Sequence, residues 1–488
     1  MGLIQNLLRT KGLEGDAGEE GAHGGASLAP SFGLFSLTML GVGATIGTGI
    51  FFVMAEAVPK AGPAVLLAFL LAGFTAGLTA LCYAELAASI PASGSSYSYA
   101  YVGLGEFAAY IVAACLMLEY ALSASATAIG WSGYLNNFLV NLVGVPIPEA
   151  LRSPMLVLGE KGLEIHVDQF NLPPVILVGL CGLLLLRGAK ESATANAIMV
   201  MLKLAVLIFF AVIAFTAFNA DNFTPFYNEA GMKGVTAAAG TVFFSFIGLD
   251  AISTAGAEVR NPKRNVPLGI VLALIIVMAG YVVVAMAALG AQPAADFAHQ
   301  EAGLAVILQK VTGQGWPSVV LSAGAVISVF SVTLVAIYGQ TRILFAIARD
   351  GLIPKTFQQV NTRTLAPVNN IVYVCIGVAI VAGTVDSSYL WDMVSMGTLV
   401  AFMAVSASVP VVRARLKAAS TVQGFRLPFG PYLIPGLSIA ACCYILKDLS
   451  HATYVVFFSW ITVALVGYFA YGIRHSNLTR AAAQKEQA

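Results

Sequence analysis

Long apolar stretches alternate with short polar ones along almost the whole chain. A helix needs about 20 apolar residues to cross a bilayer, and twelve stretches approach or exceed that length. The third is long enough to tilt or kink, and the fourth is short. They lie at about 34–56, 64–89, 105–139, 172–187, 193–217, 234–256, 267–290, 316–347, 369–385, 391–412, 432–448 and 452–473. This pattern predicts an all-α, polytopic membrane protein with twelve transmembrane helices.

The basic residues are sorted between alternate loops of this arrangement. Eighteen of the 25 lysines and arginines fall in the tails and in every second loop, six fall in the other loops, and Lys203 lies inside a segment. Because cytoplasmic loops are enriched in Lys and Arg, this bias places both termini in the cytoplasm. Residues 1–30 are predicted to form a flexible cytoplasmic tail. They lack the apolar core of a signal peptide. We therefore expect a multi-pass protein of the plasma (inner) membrane.

The first apolar segment carries four glycines near its middle, in the stretch TMLGVGATIGTGIFF at residues 38–52. A glycine in a helix interior costs about 1 kcal/mol relative to alanine. The cluster favours either a helix that unwinds at mid-membrane beside a cavity or close packing of helices through small residues. The sixth segment has a comparable region around Ile247, Gly248 and Asp250.

These two interrupted segments enter the membrane from opposite sides, five crossings apart. Paired interruptions of this kind are typical of transporters built from inverted repeats. We expect a first repeat over residues 31–217 and a second over 218–412. Two further helices would follow over 413–473, with a short cytoplasmic tail over 474–488.

The two interruptions offer complementary backbone groups. Unwinding at Ile46–Gly49 frees N–H groups at the positive N-terminal end of the resumed helix, which suits a carboxylate. Unwinding at Ile247–Gly248 frees carbonyl groups, which suit an ammonium. Facing each other at mid-membrane, the two sets would form a receptor for an α-amino acid.

Composition narrows the possible function classes. The chain is 58% hydrophobic and 10% charged, whereas a soluble domain carries about 25% charged residues. The histidines fall in tails and predicted loops, the six cysteines lack metal-ligand spacing, and no phosphate-binding G-x-x-x-x-G-K-[ST] loop occurs. We expect neither an enzyme nor ATP-driven transport, and no metal, cofactor or nucleic-acid partner.

Four motifs follow one another along residues 30–475. They are GVGATIGTGIF at 41–51, YAELAASIPASGSSYSYAY at 83–101, AEVRNPKRNVPLGI at 257–270 and YGQTRILFAIARDGLIP at 338–354. Together they resemble the permeases of the amino acid–polyamine–organocation superfamily, in particular its cationic amino-acid transporter branch and bacterial homologues. The resemblance implies a leucine-transporter-like 5+5 inverted repeat with broken helices 1 and 6, and alternating access. Ala257 departs from the pattern, because relatives often carry a second acid there.

The resemblance also implies the residues of the substrate site. Backbone contacts would come from the first break, at Ile46, Gly47, Thr48 and Gly49. The facing wall would be formed by Phe244, Ser245 and Ile247. Three charged residues are singled out, Glu119, Lys203 and Asp250. Ala336 stands where some bacterial relatives have methionine, which would leave room for a longer substrate side chain.

Each intramembrane charge also has a structural alternative. Lys203 would be a tethered cation that takes the place of a sodium ion and a candidate proton site, or it would snorkel to the interface. An unpaired lysine is disfavoured, because it costs about 2.5–3.5 kcal/mol at a helix centre. Glu119 would contact a substrate amine or couple protons, or hydrogen-bond a neighbouring helix. Asp250 would cap the resumed half-helix or sense a cationic side chain.

Three further features lie near these residues. Glu85 is expected to be a structural or gating residue, and Glu106 to be the acid at a helix start. The basic loop at 260–264 would set the topology, with gating contacts to Glu85 as the alternative. The phenylalanines at 243–246 would be either core residues or a lid over the substrate.

These observations predict a secondary active transporter of L-amino acids that is proton-coupled or exchanging. Glu119, Ala336 and the branch resemblance favour a cationic substrate such as arginine or lysine. A small neutral amino acid such as alanine is the other possibility within this class. A membrane sensor that binds an amino acid without translocating it is the alternative from another class. The oligomeric state stays open.

Overall fold

The computed structural model consists almost entirely of packed helices. It describes residues 7–12, 33–90, 95–159, 162–186, 193–248, 252, 259–298, 300, 302–361, 367–419 and 425–480. Asp250, one of the expected site residues, lies outside the described residues.

The helices are numbered in chain order. They are α1 (Leu34–Thr45), α2 (Thr48–Ala61), α3 (Val65–Ser89), α4 (Ser95–Gly103), α5 (Glu106–Val143), α6 (Leu172–Leu186), α7 (Ala193–Phe215), α8 (Gly231–Phe243), α9 (Pro262–Ala291), α10 (Gly303–Thr312), α11 (Trp316–Arg349), α12 (Val368–Thr384), α13 (Ser388–Ala418), α14 (Leu433–Leu446) and α15 (His451–Gly467). A helix lies in each of the twelve apolar segments, and α4 and α10 are additional. Between α5 and α6, strands β1 (Leu156–Gly159) and β2 (Gly162–Ile165) pair antiparallel.

The outer surface of these helices is apolar. Within the described residues, seven helical stretches are long and apolar enough to cross a membrane, and five shorter apolar helices accompany them. Large apolar side chains point outward, among them Ile208 on α7, Ile380 on α12 and Val463 on α15. An apolar surface of this extent is stable in contact with lipid and not with water. The protein is therefore a helical, polytopic membrane protein.

The helices form two packed groups with two helices between them. Helices α1, α2, α3, α8 and α9 pack on one another, and α5, α6, α11 and α12 form the second group. Helix α7 contacts α1, α9 and α11, and α13 contacts both α3 and α5. The largest single interface joins α5 to α11. The space between the two groups is where a cavity could be opened or closed by their relative movement.

Two helices are interrupted inside the first group. Helix α1 ends at Thr45 and α2 begins at Thr48, and Ile46 between them is extended, with ψ of 98°. Helix α8 continues into a 3-10 turn, Phe244–Phe246, after which Ile247 is extended, with ψ of 143°. Each helix therefore has free carbonyl groups at its broken end, because its last turn lacks further N–H partners.

One face of the molecule carries both ends of the described chain. It comprises residues 7–12, α4, the start of α5, the end of α11 and residues 468–480, and we call it the terminal face. At its centre lies the fully buried side chain of Glu106, the first residue of α5. Its carboxylate accepts hydrogen bonds from the hydroxyls of Tyr101, Tyr468 (both 3.1 Å) and Ser476 (2.5 Å). Burial raises the pKa of Tyr101, which keeps its hydroxyl a donor.

Residues 7–12, which fall within the predicted tail, are docked onto this face. The Glu106 N–H donates to the Arg9 carbonyl at 2.8 Å, and the Arg9 guanidinium donates to Thr479 at 2.9 Å. Lys11 forms an ion pair with Asp350 at 3.1 Å, just after the end of α11. The chain start is thereby bonded to α5, to α11 and to the other chain end.

Candidate functional site

The two interruptions meet each other inside the first group of helices. A methyl group on Gly248 would lie 2.7 Å from the carbonyl oxygen of Ala44, and Gly248 has a φ of +99°. A methyl group on Gly49 would lie 2.5 Å from the Cβ of Ser245. Both contacts join the first break to the second, and glycine permits them because it lacks a Cβ. The glycines therefore bring two backbone breaks into direct contact.

A single hydroxyl joins the broken ends of both helices. The buried Tyr281 of α9 can donate to the carbonyl of Thr45 at 2.9 Å or to that of Ser245 at 2.8 Å. Those are the last carbonyl of α1 and a carbonyl of the 3-10 turn that ends α8. Its ring is held against Phe69 and Phe246. Tyr281 therefore acts as a positioning residue for both breaks.

We expect Tyr281→Phe to weaken substrate binding about tenfold, because one or both carbonyls would lose a buried donor worth about 1–3 kcal/mol. The measurement is equilibrium binding of a radiolabelled amino acid to purified protein. Tyr373→Phe, at an exposed position of α12, is the matched control. Unchanged affinity in Tyr281→Phe would show that the shared hydroxyl does not position the breaks.

A cavity of about 50 Å³ lies beside the meeting point of the breaks. Helices α1, α5 and α11 and the end of the α8 turn form its wall. The lining residues are Ala44, Thr45, Glu119, Tyr120, Ser123, Phe244, Ile247, Gly248, Val332, Val335 and Ala336. Its location between the two groups of helices makes it the candidate substrate site.

Four of the expected site residues line this cavity, namely Glu119, Phe244, Ile247 and Ala336. Ile46, Gly47, Gly49 and Ser245 are not part of its wall as described. Gly49 is covered by Ser245, and Gly47 lies against Val332, so the N-terminal end of α2 is closed off from the cavity. The expectation that these residues contact a substrate stays a prediction, as does the expected contact from Thr48.

The polar part of the cavity is suited to a positive group. Glu119 is buried, with only 2% of the residue exposed to solvent. The cavity also borders the last residues of α1, Ala44 and Thr45, where a helix presents its negative end. Ser123 adds a hydroxyl one turn after Glu119 on α5. A carboxylate, a hydroxyl and a helix C-terminus together are suited to bind an ammonium.

The apolar part of the cavity comes mainly from one face of α11. Val332, Val335 and Ala336 are three and four residues apart, which is the spacing that brings side chains onto one helix face. Sequence reasoning selected Ala336 alone. The two valines carry the same 3–4 spacing, which is the signal that would have found them.

An aromatic cluster covers the cavity on the side of Trp391. Phe244 lines the cavity and packs edge-on against Trp391, with ring centroids 4.6 Å apart. The ring centroid of Phe52 lies 6.4 Å from that of Trp391. Phe243 and Phe246 instead pack against Phe402 and Tyr281 as core residues. Of the phenylalanines at 243–246, only Phe244 has the position of a lid.

Lys203 lies among three helices and is 1% exposed. Its ammonium on α7 donates to the carbonyl of Gly43 on α1 at 3.2 Å and to the hydroxyl of Ser331 on α11 at 3.4 Å. Ser331 directly precedes the cavity residue Val332. The ammonium is therefore inside the protein rather than at its surface, and it joins the first group of helices to the second.

Helix α13 is tied to the first group of helices at both of its ends. Near its start, Asp392 accepts a hydrogen bond from Thr241 at 2.9 Å and pairs with Lys60 at 3.4 Å. Near its other end, Arg413 forms a bidentate pair with Glu85, whose carboxylate also accepts from the N–H of Leu427 at 2.7 Å. Among the described residues, Arg413 is thus a basic partner of Glu85. Between these two ends of α13, a methyl group on Gly397 would lie 3.7 Å from the Cβ of the cavity residue Glu119.

The sequence is similar to those of known proteins over almost its whole length. The sequence profile described as "Amino acid permease" matches residues 32–471. The chain belongs to the amino acid permease family. This membership covers both interrupted helices, the cavity and α13.

Three relatives of this permease illustrate the range of substrates named in the family. A branched-chain amino acid permease of Bacillus subtilis is 39% identical over 94% of this chain and 96% of that protein. A methylthioribose transporter of the same organism is 38% identical over 98% of this chain and all of that protein. A vacuolar cationic amino acid transporter of Arabidopsis thaliana is 35% identical over 84% of this chain, which matches 64% of that longer protein. The relatives are transporters by name, and their substrates differ.

Proposed function

We propose that this permease is a secondary active transporter of L-amino acids that works by alternating access. The observation that carries the proposal is the contact of two broken helices beside a cavity with an anionic and an apolar part. We further propose twelve crossings, a 5+5 inverted repeat and cytoplasmic termini in the inner membrane. The distribution of basic residues and the two groups of helices support this arrangement.

The substrate would be held by its backbone groups first. Its ammonium would lie near Glu119, Ser123 and the carbonyl end of α1, which favours positive charge. Its carboxylate would bind the N-terminal end of α2, after α2 has moved away from Ser245. Substrate binding would therefore separate Gly49 from Ser245 while the contact of Gly248 with Ala44 stays in place, which gives the protein a reason to change shape when it is loaded.

The wall favours a short or branched apolar side chain. Val332, Val335 and Ala336, with Phe244 and Ile247, offer a substrate no charge partner on that side of the cavity. Burying such a side chain contributes about 1.5–3 kcal/mol. A neutral amino acid of this type is the first candidate, and it agrees with the name of the Bacillus branched-chain permease. A cationic amino acid is the second candidate, because Glu119 is a carboxylate in the cavity.

The substrate cavity would be closed alternately at the two ends of α13. The Lys60–Asp392–Thr241 contacts would hold one side shut and the Glu85–Arg413 pair the other. We propose that the Asp392 side faces outward and the Arg413 side faces the cytoplasm. Lys203 would couple the movement to protons, because an amine that is buried between helices can bind and release one.

The test is uptake into proteoliposomes of labelled isoleucine, alanine and arginine, by wild type and by Glu119→Gln. We expect isoleucine and alanine to be taken up in preference to arginine. If Glu119 binds the α-ammonium, its replacement should weaken uptake of every substrate about tenfold, since a hydrogen bond to a charged group contributes about 1.5–3 kcal/mol. Glu164→Gln, on the exposed strand β2, is the control.

Two other outcomes of this experiment would contradict the proposed function. Uptake of arginine in preference to isoleucine, with a loss confined to arginine in Glu119→Gln, would assign Glu119 to a cationic side chain and overturn the neutral substrate class. Binding of amino acids without any flux would favour a sensor and overturn transport.

A further inference from the structure

The geometry points to a second binding site, for a phosphate-bearing anion, in a cavity of about 220 Å³ on the terminal face. The cavity lies between the end of α11 and the last described residues of the chain. The phosphate could belong to a lipid headgroup or to a soluble phosphate compound. The proposal does not depend on which amino acid is transported.

The cavity is built from two segments that are far apart in sequence. Beyond the end of α11, the Asn477 N–H donates to the carbonyl of Asp350 at 3.0 Å. The Asn477 side chain donates to the carbonyl of Arg349 at 2.8 Å. These bonds fix Asn477 against the end of α11. The edge of the cavity that Arg349 and Asn477 form is therefore held by hydrogen bonds of the fold.

The lining of this cavity carries positive charge. Its charged members are Arg349, Lys355 and Arg480, and none of its lining residues is acidic. The nearest acid along the chain, Asp350, directs its carboxylate to Lys11 at 3.1 Å and to the Tyr97 hydroxyl at 2.6 Å. These two contacts of Asp350 are made with groups that do not line the cavity.

Phosphate is the anion that suits this combination of groups. Arginine binds phosphate oxygens with two parallel N–H groups, and lysine binds them as a point charge. Gln358 and Asn477 add neutral amide groups to the same lining. A cavity of about 150 Å³ can hold a benzene molecule, so a cavity of about 220 Å³ accommodates a phosphate and the atoms next to it.

Topology alone explains an excess of lysine and arginine on one side of a membrane protein. It does not explain why three of them from two distant segments surround one cavity. The site is also distinct from the transport cavity, because Arg349 follows Ala336 by thirteen residues along α11, or about 20 Å at 1.5 Å per residue. An anion bound here would link α11, which walls the transport cavity, to the chain end.

The first arm of the test uses inorganic phosphate. Purified full-length protein is titrated with phosphate at constant ionic strength, and binding is measured by calorimetry. The test variant is Lys355→Gln with Arg480→Gln, both at exposed positions. The control is Arg264→Gln with Lys417→Gln, which removes the same charge from exposed positions that do not line the cavity.

The second arm uses lipid. The same proteins are placed in nanodiscs of phosphatidylcholine with and without phosphatidylglycerol, and retained lipid is counted by native mass spectrometry. We expect wild type and control to bind alike and the test variant to bind at least about tenfold more weakly, since two charge-assisted contacts are lost. Lys355→Glu alone, on an exposed side chain, repeats the comparison if the double variant is poorly folded.

The two arms separate the possible sources. Phosphate binding that the test variant loses supports a soluble ligand, and retention of phosphatidylglycerol that it loses supports a lipid headgroup. Equal binding by test and control variants in both arms, or no binding by wild type in either, would overturn the site. Neither result depends on amino-acid uptake, so failure here is distinguishable from failure of the transport proposal.

Discussion

Replacing Lys203 by methionine is expected to abolish amino-acid uptake while the protein still folds into the membrane. The ammonium is the only part of the side chain that reaches the carbonyl of Gly43 and the hydroxyl of Ser331, and methionine retains the length without the charge. Two hydrogen bonds from a charged donor contribute about 1.5–3 kcal/mol each. Their loss corresponds to a reduction in uptake of at least about a hundredfold, measured in proteoliposomes. Lys310→Met, at an exposed ion pair with Asp296, is the control.

The variant Lys203→Arg separates two roles of this side chain. Arginine keeps the positive charge but cannot be deprotonated in a protein. If Lys203 carries a proton, the arginine variant should retain exchange of internal for external amino acid and lose accumulation driven by a pH gradient. Wild-type uptake by well-folded Lys203→Met would remove both roles and leave this lysine as a packing residue.

Gly248→Ala is expected to have the second large effect. The backbone at Gly248 has a φ of +99°, and the added methyl would lie 2.7 Å from the Ala44 carbonyl oxygen. A non-glycine residue in such a conformation costs on the order of 1–3 kcal/mol, and the contact with backbone cannot be relieved by rotating a side chain. The two breaks must then separate. We expect loss of substrate binding by more than about tenfold and a lower unfolding temperature.

Gly179→Ala provides the comparison for this variant. Gly179 lies within α6, and an added methyl group would meet nothing within 4 Å. There the exchange should be neutral or should stabilise the helix by about 1 kcal/mol. Equal substrate affinity in Gly248→Ala and in wild type would show that contact between the breaks is unnecessary for binding.

The sequence predicts where the helices break, because the cause is local. Glycines weaken a helix wherever they are placed, and the sequence predicts a break at Ile46–Gly49. In the structure the helix ends at Thr45 and resumes at Thr48, so Gly49 is helical, as are Gly41 and Gly43. The long apolar segments are predicted for the same reason, since lipid requires a minimum helix length. Helices α4 and α10 are shorter than that length, so the hydrophobic pattern does not predict them as membrane spans.

Contacts between residues that are far apart in the chain could not be predicted from the sequence. Nothing near Tyr281 indicates that its hydroxyl joins two carbonyls from other helices. The closure of the first break against Ser245 depends on how α2 and α8 pack, so the separation of Gly49 from the cavity was not foreseeable. The sequence offers the basic loop at 260–264 as a possible contact of Glu85, and the packing of α3 on α13 brings Arg413 to it.

The docked start of the chain constrains how the protein is made. Arg9 leaves the ribosome before its partner Thr479, 470 residues later, which at about 5–20 residues per second is an interval of about 25 to 90 seconds. Lys11 likewise cannot form its ion pair until Asp350 has been synthesised. During that interval the contacts of Arg9 and Lys11 with α4 and α5 can form, but the contact of Arg9 with Thr479 cannot. Full docking of residues 7–12 therefore follows the synthesis of Thr479, and a product truncated before α15 would lack that contact.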